Sequence, residues 1–156
     1  MNKIISVAIF LLLLVVNLYA DIISGKVISV ADGDTVTILL KNKEQVRIRV
    51  HCIDAPEKKQ DFGQRSKQSL SDMIFGKDVD VIVKDKDRYG RLVGTILFNS
   101  ININLEQVKK GMAWVYTRYC NEKEYYEAME MARINKVGLW VDKKPIEPWL
   151  FRKMKK

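Results

Sequence analysis

The segment from Gln45 to Ile53 alternates strictly in polarity, and this pattern limits the folds open to the chain. One face carries apolar side chains and the other carries basic ones: Val46, Ile48, Val50 and Cys52 against Arg47, Arg49 and His51. A period of two with one apolar face predicts a half-buried strand. Such a strand needs neighbouring strands to pair with and a core beneath its apolar face. We place Arg47 on the solvated face and expect no catalytic role for His51.

Two apolar runs precede this strand, and turn signals separate all three segments. Ile22 to Val30 is rich in Ile and Val, and Asp34 to Leu40 forms a second run. Ala31-Asp32-Gly33 and Lys41-Asn42-Lys43 are the turns between them. The first third of the chain therefore predicts an antiparallel meander with short connections.

The rest of the chain mixes helices and strands. We predict helices over 63–75 and 121–135, the second capped by Asn121, and a short helix from Asn102 or Asn104 to Lys110. Further strands are predicted over 79–83 and 92–98, with an extended piece over 113–116. Periodicity alone supports a small α+β domain with an antiparallel sheet. Five strands with a helix between the third and fourth match the order of a five-stranded Greek-key OB barrel.

The first twenty residues are predicted to be a secretory signal. Met1-Asn2-Lys3 is a short basic start, Ile4 to Val16 is an apolar run, and Ala20 is a small residue before Asp21. The apolar run is short for a membrane span. We expect an exported protein, periplasmic or extracellular, whose OB domain covers 21–141. An uncleaved N-terminal membrane anchor is the alternative, and only that case implies membrane contact.

Residues 142–156 form a basic tail that is broken by prolines, and we expect it to be loosely attached. The whole chain has a formal net charge of +8, which favours polyanions such as nucleic acid or an anionic membrane. Trp114, Trp140 and Trp149 are expected to be core residues or docking anchors rather than platforms for bases. No stable protein partner is implied, and a monomer is expected.

The two cysteines, Cys52 and Cys120, leave two possibilities open. Export would place both in a compartment where disulfides persist, so they can form a bridge. Alternatively they are two separate, half-buried thiols. Neither lies in a CxxC pair, and the chain has one histidine, so the sequence indicates no zinc site.

Three short motifs carry groups suited to metal-assisted attack on a phosphodiester. They are Asp32-Gly33-Asp34-Thr35, Asp54-Ala55-Pro56-Glu57 and Arg88-Tyr89-Gly90-Arg91, with Arg49 five residues before Asp54. Asp34 and Asp54 offer the oxygen ligands that a hard divalent cation needs. Guanidinium groups match the oxygens of a phosphate, and Glu57 is available to orient or deprotonate a water.

These motifs, with two more near the end of the chain, resemble the thermonuclease, or staphylococcal nuclease-like, family. The further motifs are Gly111-Met112-Ala113-Trp114-Val115-Tyr116 and Gly138-Leu139-Trp140. The resemblance covers Ile22 to Trp140. It implies an OB barrel with three helices and a calcium-dependent endonuclease that cleaves DNA and RNA and leaves 3′-phosphate ends. We expect low sequence specificity, because such a site reads phosphate and sugar rather than base edges.

The resemblance also implies roles for individual residues. Asp34, Asp54 and the main-chain carbonyl of Ala55 resemble the calcium ligands, and Asp32 resembles an outer-shell acid. Glu57 resembles the proposed general base, and Arg49 and Arg91 resemble the arginines that bind phosphate. Arg88, Tyr89 and Tyr119 are candidate substrate contacts.

The chain departs from the family pattern in two places. Many relatives have a hydroxyl residue where Ala55 stands, but a main-chain carbonyl survives that change. Thr117 and Arg118 depart from the tyrosine-rich form of the loop that carries Tyr119. The main alternative is a non-catalytic nucleic-acid-binding OB module, and an envelope-anchored adaptor is a third hypothesis.

Overall fold

The computed structural model describes residues 21–155. The predicted signal segment, with its basic start and apolar run, lies outside the described residues. Within 21–155, no helix combines the length and the apolar character needed to cross a bilayer.

Eight strands and four α-helices follow one another along the described chain. The strands are β1 (Ile22–Asp32), β2 (Thr35–Leu40), β3 (Gln45–Val50), β4 (Ile53–Asp54), β5 (Asp78–Lys86), β6 (Leu92–Phe98), β7 (Ile101–Asn102) and β8 (Trp114–Val115). The helices are α1 (Gly63–Ile74), α2 (Ile103–Lys109), α3 (Lys123–Ile134) and α4 (Pro148–Met154), with a 3₁₀ turn at Gly138–Val141.

Five of the strands close into a barrel. They pair in the order β3-β2-β1-β5-β6, and a further pairing of β3 with β6 closes the ring. The closing pair is parallel, with Ile48 opposite Leu92 and Val50 opposite Gly94, whereas the other pairs are antiparallel. This mixed, closed barrel with α1 between the third and fourth barrel strands confirms the predicted α+β OB fold.

The alternation in β3 has the predicted consequence. Ile48 and Val50 are fully buried, whereas Arg47 is exposed. The barrel interior is completed by apolar residues of the other strands and of α1: Val27, Val36, Ile38, Val79, Val81, Ile96, Leu70 and Ile74. Burial of these side chains supplies the main stabilising term of the fold.

The strand predicted to run from Gln45 to Ile53 is interrupted, and the interruption moves Asp54 away from the barrel wall. β3 ends at Val50, and Cys52 adopts a positive φ of 69°. The chain then pairs again in a small second sheet, where Ile53 lies opposite Val115 and Asp54 opposite Trp114. The periodicity of the sequence does not reveal this turn, because the polarity alternates through it.

The predicted helices form, with one wrong cap. The Asn102 side chain caps α2 by accepting a hydrogen bond from the Leu105 amide at 3.1 Å. The Asn121 cap of α3 is wrong: the chain stays extended through Glu122, which is the N-cap residue and makes no side-chain cap bond. Cys120, the residue before Asn121, is held by a disulfide and by the Tyr126 hydroxyl, which donates to the Cys120 carbonyl at 2.7 Å.

The C-terminal tail differs from the loosely attached segment that its composition predicts. It forms α4, and Trp149 of this helix stacks on Tyr116 with ring centroids 5.4 Å apart and planes 7° apart. Trp149 also meets the edge of Trp114, and the Gln60 amide donates to the Ile146 carbonyl at 2.6 Å. Packing of Trp149 against other aromatic rings attaches the tail to the barrel. The sequence does not reveal this attachment, because most of the charged residues around Trp149 are basic and suggest a solvated segment.

A disulfide joins Cys52 to Cys120, with Cα atoms 4.6 Å apart. The bridge connects the turn between β3 and β4 to the loop before α3. It therefore fixes the turn that leads to Asp54 against the segment that carries Tyr119.

Loss of this bridge is expected to lower the free energy of unfolding by about 4 kcal/mol, because the sequence separation of 68 residues closes a long loop in the unfolded chain. Urea denaturation of Cys52→Ala/Cys120→Ala and of reduced wild-type protein measures it. The reductant should not change the double variant. Titration of unfolded, unreduced wild-type protein should detect no free thiol, and two free thiols would contradict the bridge.

Candidate functional site

Two buried carboxylates converge on one guanidinium at the edge of the barrel. The Nη2 atom of Arg49 lies 3.0 Å from Asp54 Oδ1 and 3.2 Å from Asp34 Oδ2. The Asp54 side chain is 2% exposed and that of Asp34 9%. A buried carboxylate is costly without a charged partner, so Arg49 is what allows the two acids to lie side by side.

The position of Asp34 depends on the tight packing of the turn before it. A Cβ atom on Gly33 would overlap Ser66 Oγ of α1, so only glycine lets the turn approach the helix this closely. The buried amide of Gln107, on α2, donates to the Gly33 carbonyl at 3.0 Å. The Ala55 amide donates to Asp34 Oδ2 at 2.7 Å, which joins the two acidic motifs directly.

Arg49 is held as firmly as the acids that it joins. Its Nη1 atom donates to the carbonyls of Val50 and Ile53, each at 2.8 Å. These carbonyls lie on either side of the turn between β3 and β4. These two hydrogen bonds fix the orientation of the guanidinium group, and its Nη2 atom stays beside the two carboxylates.

Burial raises the pKa of two carboxyl groups at this site, those of Asp32 and Asp54. The pKa of Asp32 rises to about 6, chiefly because the group is removed from water and then because of the negative charge of Asp34. The Asp34 amide donates to Asp32 Oδ1 at 3.0 Å. Burial also raises the pKa of Asp54, although the hydrogen bond from Arg152 and the charge of Arg49 oppose this shift. Clustered acids of this kind favour a cationic ligand.

Glu57 lies beside the pair and is connected to it through a residue of the tail. Arg152 of α4 donates from Nη1 to Glu57 Oε1 at 2.7 Å and to Asp54 Oδ1 at 3.2 Å, and from Nη2 to Asp54 Oδ2 at 2.7 Å. Glu57 is the more accessible acid, since 39% of its side chain is exposed. Its amide donates to Gln60 Oε1 at 3.0 Å, which fixes the loop.

Arg91 adjoins the site without touching the two buried carboxylates. Its Nε atom pairs with Asp87 at 2.7 Å, and its Nη1 atom lies 3.4 Å from the Thr35 hydroxyl. That hydroxyl donates to Asp34 Oδ1 at 3.1 Å. Hydrogen bonds from Arg91 and Tyr89 lower the pKa of Asp87 despite the opposing effect of burial. The Thr35 hydroxyl group thus links Arg91 to Asp34.

The aromatic candidates are exposed around the site and do not contact the carboxylates directly. Tyr89 is 70% exposed and has the guanidinium groups of Arg88 and Arg91 over its ring, at 5.1 and 5.5 Å. Tyr119 is 57% exposed and meets Tyr116 edge-on at 4.9 Å. Exposed rings beside arginines can accept the faces of nucleobases.

A second group of potential ligand atoms does not make a metal site. His51, Cys52 and Glu122 lie close together. The Cys52 sulfur belongs to the disulfide, and His51 Nε2 lies 3.2 Å from Glu122 Oε1. What remains is one imidazole–carboxylate pair, which is too small a ligand set for a structural or catalytic zinc ion.

The Asp34–Asp54 pair fits a hard divalent cation. Its donors are oxygens, both carboxylates are buried, and they already share one positive group. The hydrogen bond from the Ala55 amide places that residue against Asp34, so its main chain belongs to the same site. Asp32 supports the site from behind through the Asp34 amide. Oxygen donors of this kind suit calcium or magnesium.

Sequence reasoning missed Arg152 and Gln107. Gln107 lies on a short helix distant in sequence from the acidic motifs, and no motif around it gives a local signal. Arg152 stands among other basic residues of the tail, and no motif distinguishes it from them. The Pro148-Trp149 pair was the available signal, because an aromatic residue after a proline in a basic tail indicates a docked segment.

Comparison with known proteins adds evidence independent of the geometry. Residues 47–142 match the family described as staphylococcal nuclease homologue. A Haemophilus influenzae protein named as an uncharacterized endonuclease is 45% identical over 84% of this chain and 74% of its own length. An Escherichia coli protein of the same description is 41% identical over 88% and 90%. A micrococcal nuclease of Shigella flexneri is 38% identical over 85% and 82%.

The matched segment begins within β3 and ends just after the 3₁₀ turn, so it contains most of the site and more than half of the chain. The relatives extend the similarity over most of the remainder. With an OB barrel and a buried acidic pair beside arginines, this chain belongs to the staphylococcal nuclease homologue family.

Proposed function

We propose that this protein is a metal-dependent endonuclease that hydrolyses phosphodiester bonds of DNA and RNA. The observation that carries the proposal is the buried pair of Asp34 and Asp54 on one guanidinium of Arg49, with Glu57 beside it. Burying two acids lowers the stability of the fold, and an OB module that only binds nucleic acid does not require such a pair. The nuclease names of the relatives point in the same direction.

Each residue of the site has a role that its position supports. Asp34, Asp54 and the Ala55 carbonyl would hold calcium, with Asp32 behind them. Bound there, the cation would supply positive charge for a phosphate oxygen and lower the pKa of a water. Glu57 would accept a proton from the attacking water, since it is the accessible acid. Arg91 would orient the phosphate. Arg49, whose Nη atoms already bind main-chain carbonyls and the two carboxylates, would act with Arg91 through its positive charge on the phosphate and on the charge that builds up in the transition state.

Substrate selection would rest on phosphate and base stacking rather than on base edges. Arg88, Tyr89 and Tyr119 are exposed around the site, and the chain is strongly basic. Such surfaces bind the backbone and the faces of bases, which every sequence offers. Low sequence specificity follows, and by resemblance to the family we expect cleavage to leave 3′-phosphate ends.

We further propose export to the periplasm or the medium, with cleavage before Asp21. The disulfide supports this, because disulfides persist in oxidising compartments.

The export proposal predicts a new N-terminus. Mass spectrometry of protein recovered from the native envelope or medium should show a chain that begins at Asp21 or a neighbouring residue, because the apolar run would be removed with the signal. Recovery of the Met1-containing chain in the membrane fraction would instead favour an N-terminal anchor.

The cation assignment predicts that cleavage of plasmid DNA and of RNA needs calcium and stops when a chelator is added. Asp34→Ala should lower the rate by about a hundredfold or more while leaving the fold intact, because it removes an anionic ligand at the barrel edge. Cleavage is followed on gels with added calcium and with chelator, and end-labelling identifies the terminal phosphate.

The matched control is Asp78→Ala, which removes an exposed acid at the start of β5 and should cleave like the wild type. Undiminished cleavage by Asp34→Ala would contradict the assignment. Binding of nucleic acid without cleavage by the wild type in any divalent cation would favour the non-catalytic OB module.

The proposed role of Arg91 predicts that geometry matters more than charge. Arg91→Lys keeps the positive charge but loses the two-pronged donor, so its rate should fall by about tenfold or more, close to that of Arg91→Ala. Arg47→Lys, an exposed arginine of β3, is the control. A fully active Arg91→Lys would show that Arg91 acts only as a point charge. The measurement is the cleavage rate at saturating calcium.

A further inference from the structure

Arg152 occupies the acceptor oxygens of the proposed cation ligand. Both oxygens of Asp54 accept from its guanidinium, at 3.2 and 2.7 Å, and Glu57 accepts from the same group at 2.7 Å. One side chain of the tail thus contacts a proposed ligand and the proposed base together. An arginine side chain stays charged in proteins, so these contacts are charge-assisted hydrogen bonds.

A divalent cation and this guanidinium compete for the oxygens of Asp54. A carboxylate has about four acceptor positions. Arg49 and Arg152 both use Oδ1, and Arg152 also uses Oδ2. A dication placed next to two guanidinium groups would also be repelled by both. Binding through Asp54 therefore requires Arg152 to withdraw, whereas Arg49 is anchored by main-chain carbonyls and stays.

The helix that carries Arg152 is short and depends on a small number of tertiary contacts. α4 has seven residues, which is too short to be stable without tertiary contacts. Apart from the hydrogen bonds of Arg152, it is attached by Trp149, which packs on Tyr116 and Trp114, and by the Gln60 side chain, which binds Ile146 just before the helix. A cavity of about 140 Å³ lies between the tail and the loop from Pro56 to Phe62. The Arg152 side chain is 41% exposed, so water can take over its hydrogen bonds.

We propose that α4 is an autoinhibitory latch, in which Arg152 binds Asp54 and Glu57 until a divalent cation displaces it. The latch rests on the proposed function, because it regulates the same cation site. In the closed state, one oxygen of Glu57 is paired with a guanidinium, which makes this carboxylate a weaker base towards water, and both oxygens of Asp54 are engaged. Cation binding releases both acids in one step, so the enzyme would become competent only when the cation is abundant.

Calcium affinity tests the latch directly. Isothermal titration calorimetry would compare wild-type residues 21–156 with Arg152→Gln, Trp149→Ala and Lys153→Gln. Arg152→Gln should bind calcium about tenfold more tightly or better, since no charged hydrogen bonds must be broken. Trp149→Ala keeps the arginine but loosens the helix, and should shift the affinity in the same direction by less.

Lys153→Gln is the matched control, because it removes one positive charge from an exposed neighbour on the same helix. It reports the long-range electrostatic effect alone and should change the affinity less than twofold. Thermal unfolding of each variant verifies that the barrel is intact. The calcium concentration at half-maximal DNA cleavage should fall in Arg152→Gln in proportion to its dissociation constant.

Hydrogen exchange gives a readout that does not depend on cleavage. The amides of Leu150 and Phe151 both donate to the Glu147 carbonyl and report formation of α4. Calcium should accelerate exchange in the peptide covering 147–154 of the wild type. In Arg152→Gln, exchange in this peptide should already be fast without calcium.

Three results would overturn the latch. Equal calcium affinity in wild type, Arg152→Gln and Trp149→Ala would do so alone and would leave the nuclease proposal standing. Slower cleavage by Arg152→Gln at unchanged calcium affinity would assign Arg152 to substrate binding instead. Calcium binding by none of the proteins would overturn the cation site and the latch together, and wild-type cleavage in chelator would then show whether the nuclease proposal fails as well.

Discussion

The arrangement of this protein's candidate site depends on the ion pairs between Arg49 and the acids Asp34 and Asp54. Two carboxylates that are nearly excluded from water repel each other and lose their hydration. Arg49 offsets both costs from a single nitrogen, at 3.2 and 3.0 Å. Its second nitrogen is bound to two main-chain carbonyls. Main-chain hydrogen bonds therefore fix the guanidinium group of Arg49, and its ion pairs fix the two carboxylates.

Much of the surrounding structure keeps this cluster in place. Asp34 follows a glycine turn pressed against α1 and hydrogen-bonded by Gln107. Asp54 reaches the site because the chain turns at Cys52 and pairs with β8. The disulfide at Cys52 holds that turn to the loop before α3. A closed barrel provides the rigid support that such a site needs, because functional groups on strand ends move less than groups on free loops.

The C-terminal helix gives the site a second positive partner, and the two partners differ in kind. Arg49 belongs to the barrel and is 14% exposed, whereas Arg152 belongs to a short helix and is 41% exposed. The two arginines therefore have different effects. Arg49 is a fixed charge that allows the carboxylates to be buried, whereas Arg152 is a detachable charge that competes for the same oxygens. Aromatic stacking of Trp149 on Tyr116 makes the second effect possible, because it brings the tail back across the barrel edge.

The sequence alone determined the five barrel strands, the first three helices and the acidic and basic motifs, because each of these is encoded locally. Alternation in β3 predicts its buried face, and the Asp-Gly-Asp turn and the arginine before Asp54 stand close together in the chain. Tertiary structure decided what no local pattern carries. The turn at Cys52 interrupts a regular alternation. Two other contacts join residues that are distant in sequence: the hydrogen bond from Gln107 to Gly33 and the docking of Arg152 on Asp54. Such contacts arise only when the barrel closes, since their energy comes from burial and charge pairing in three dimensions.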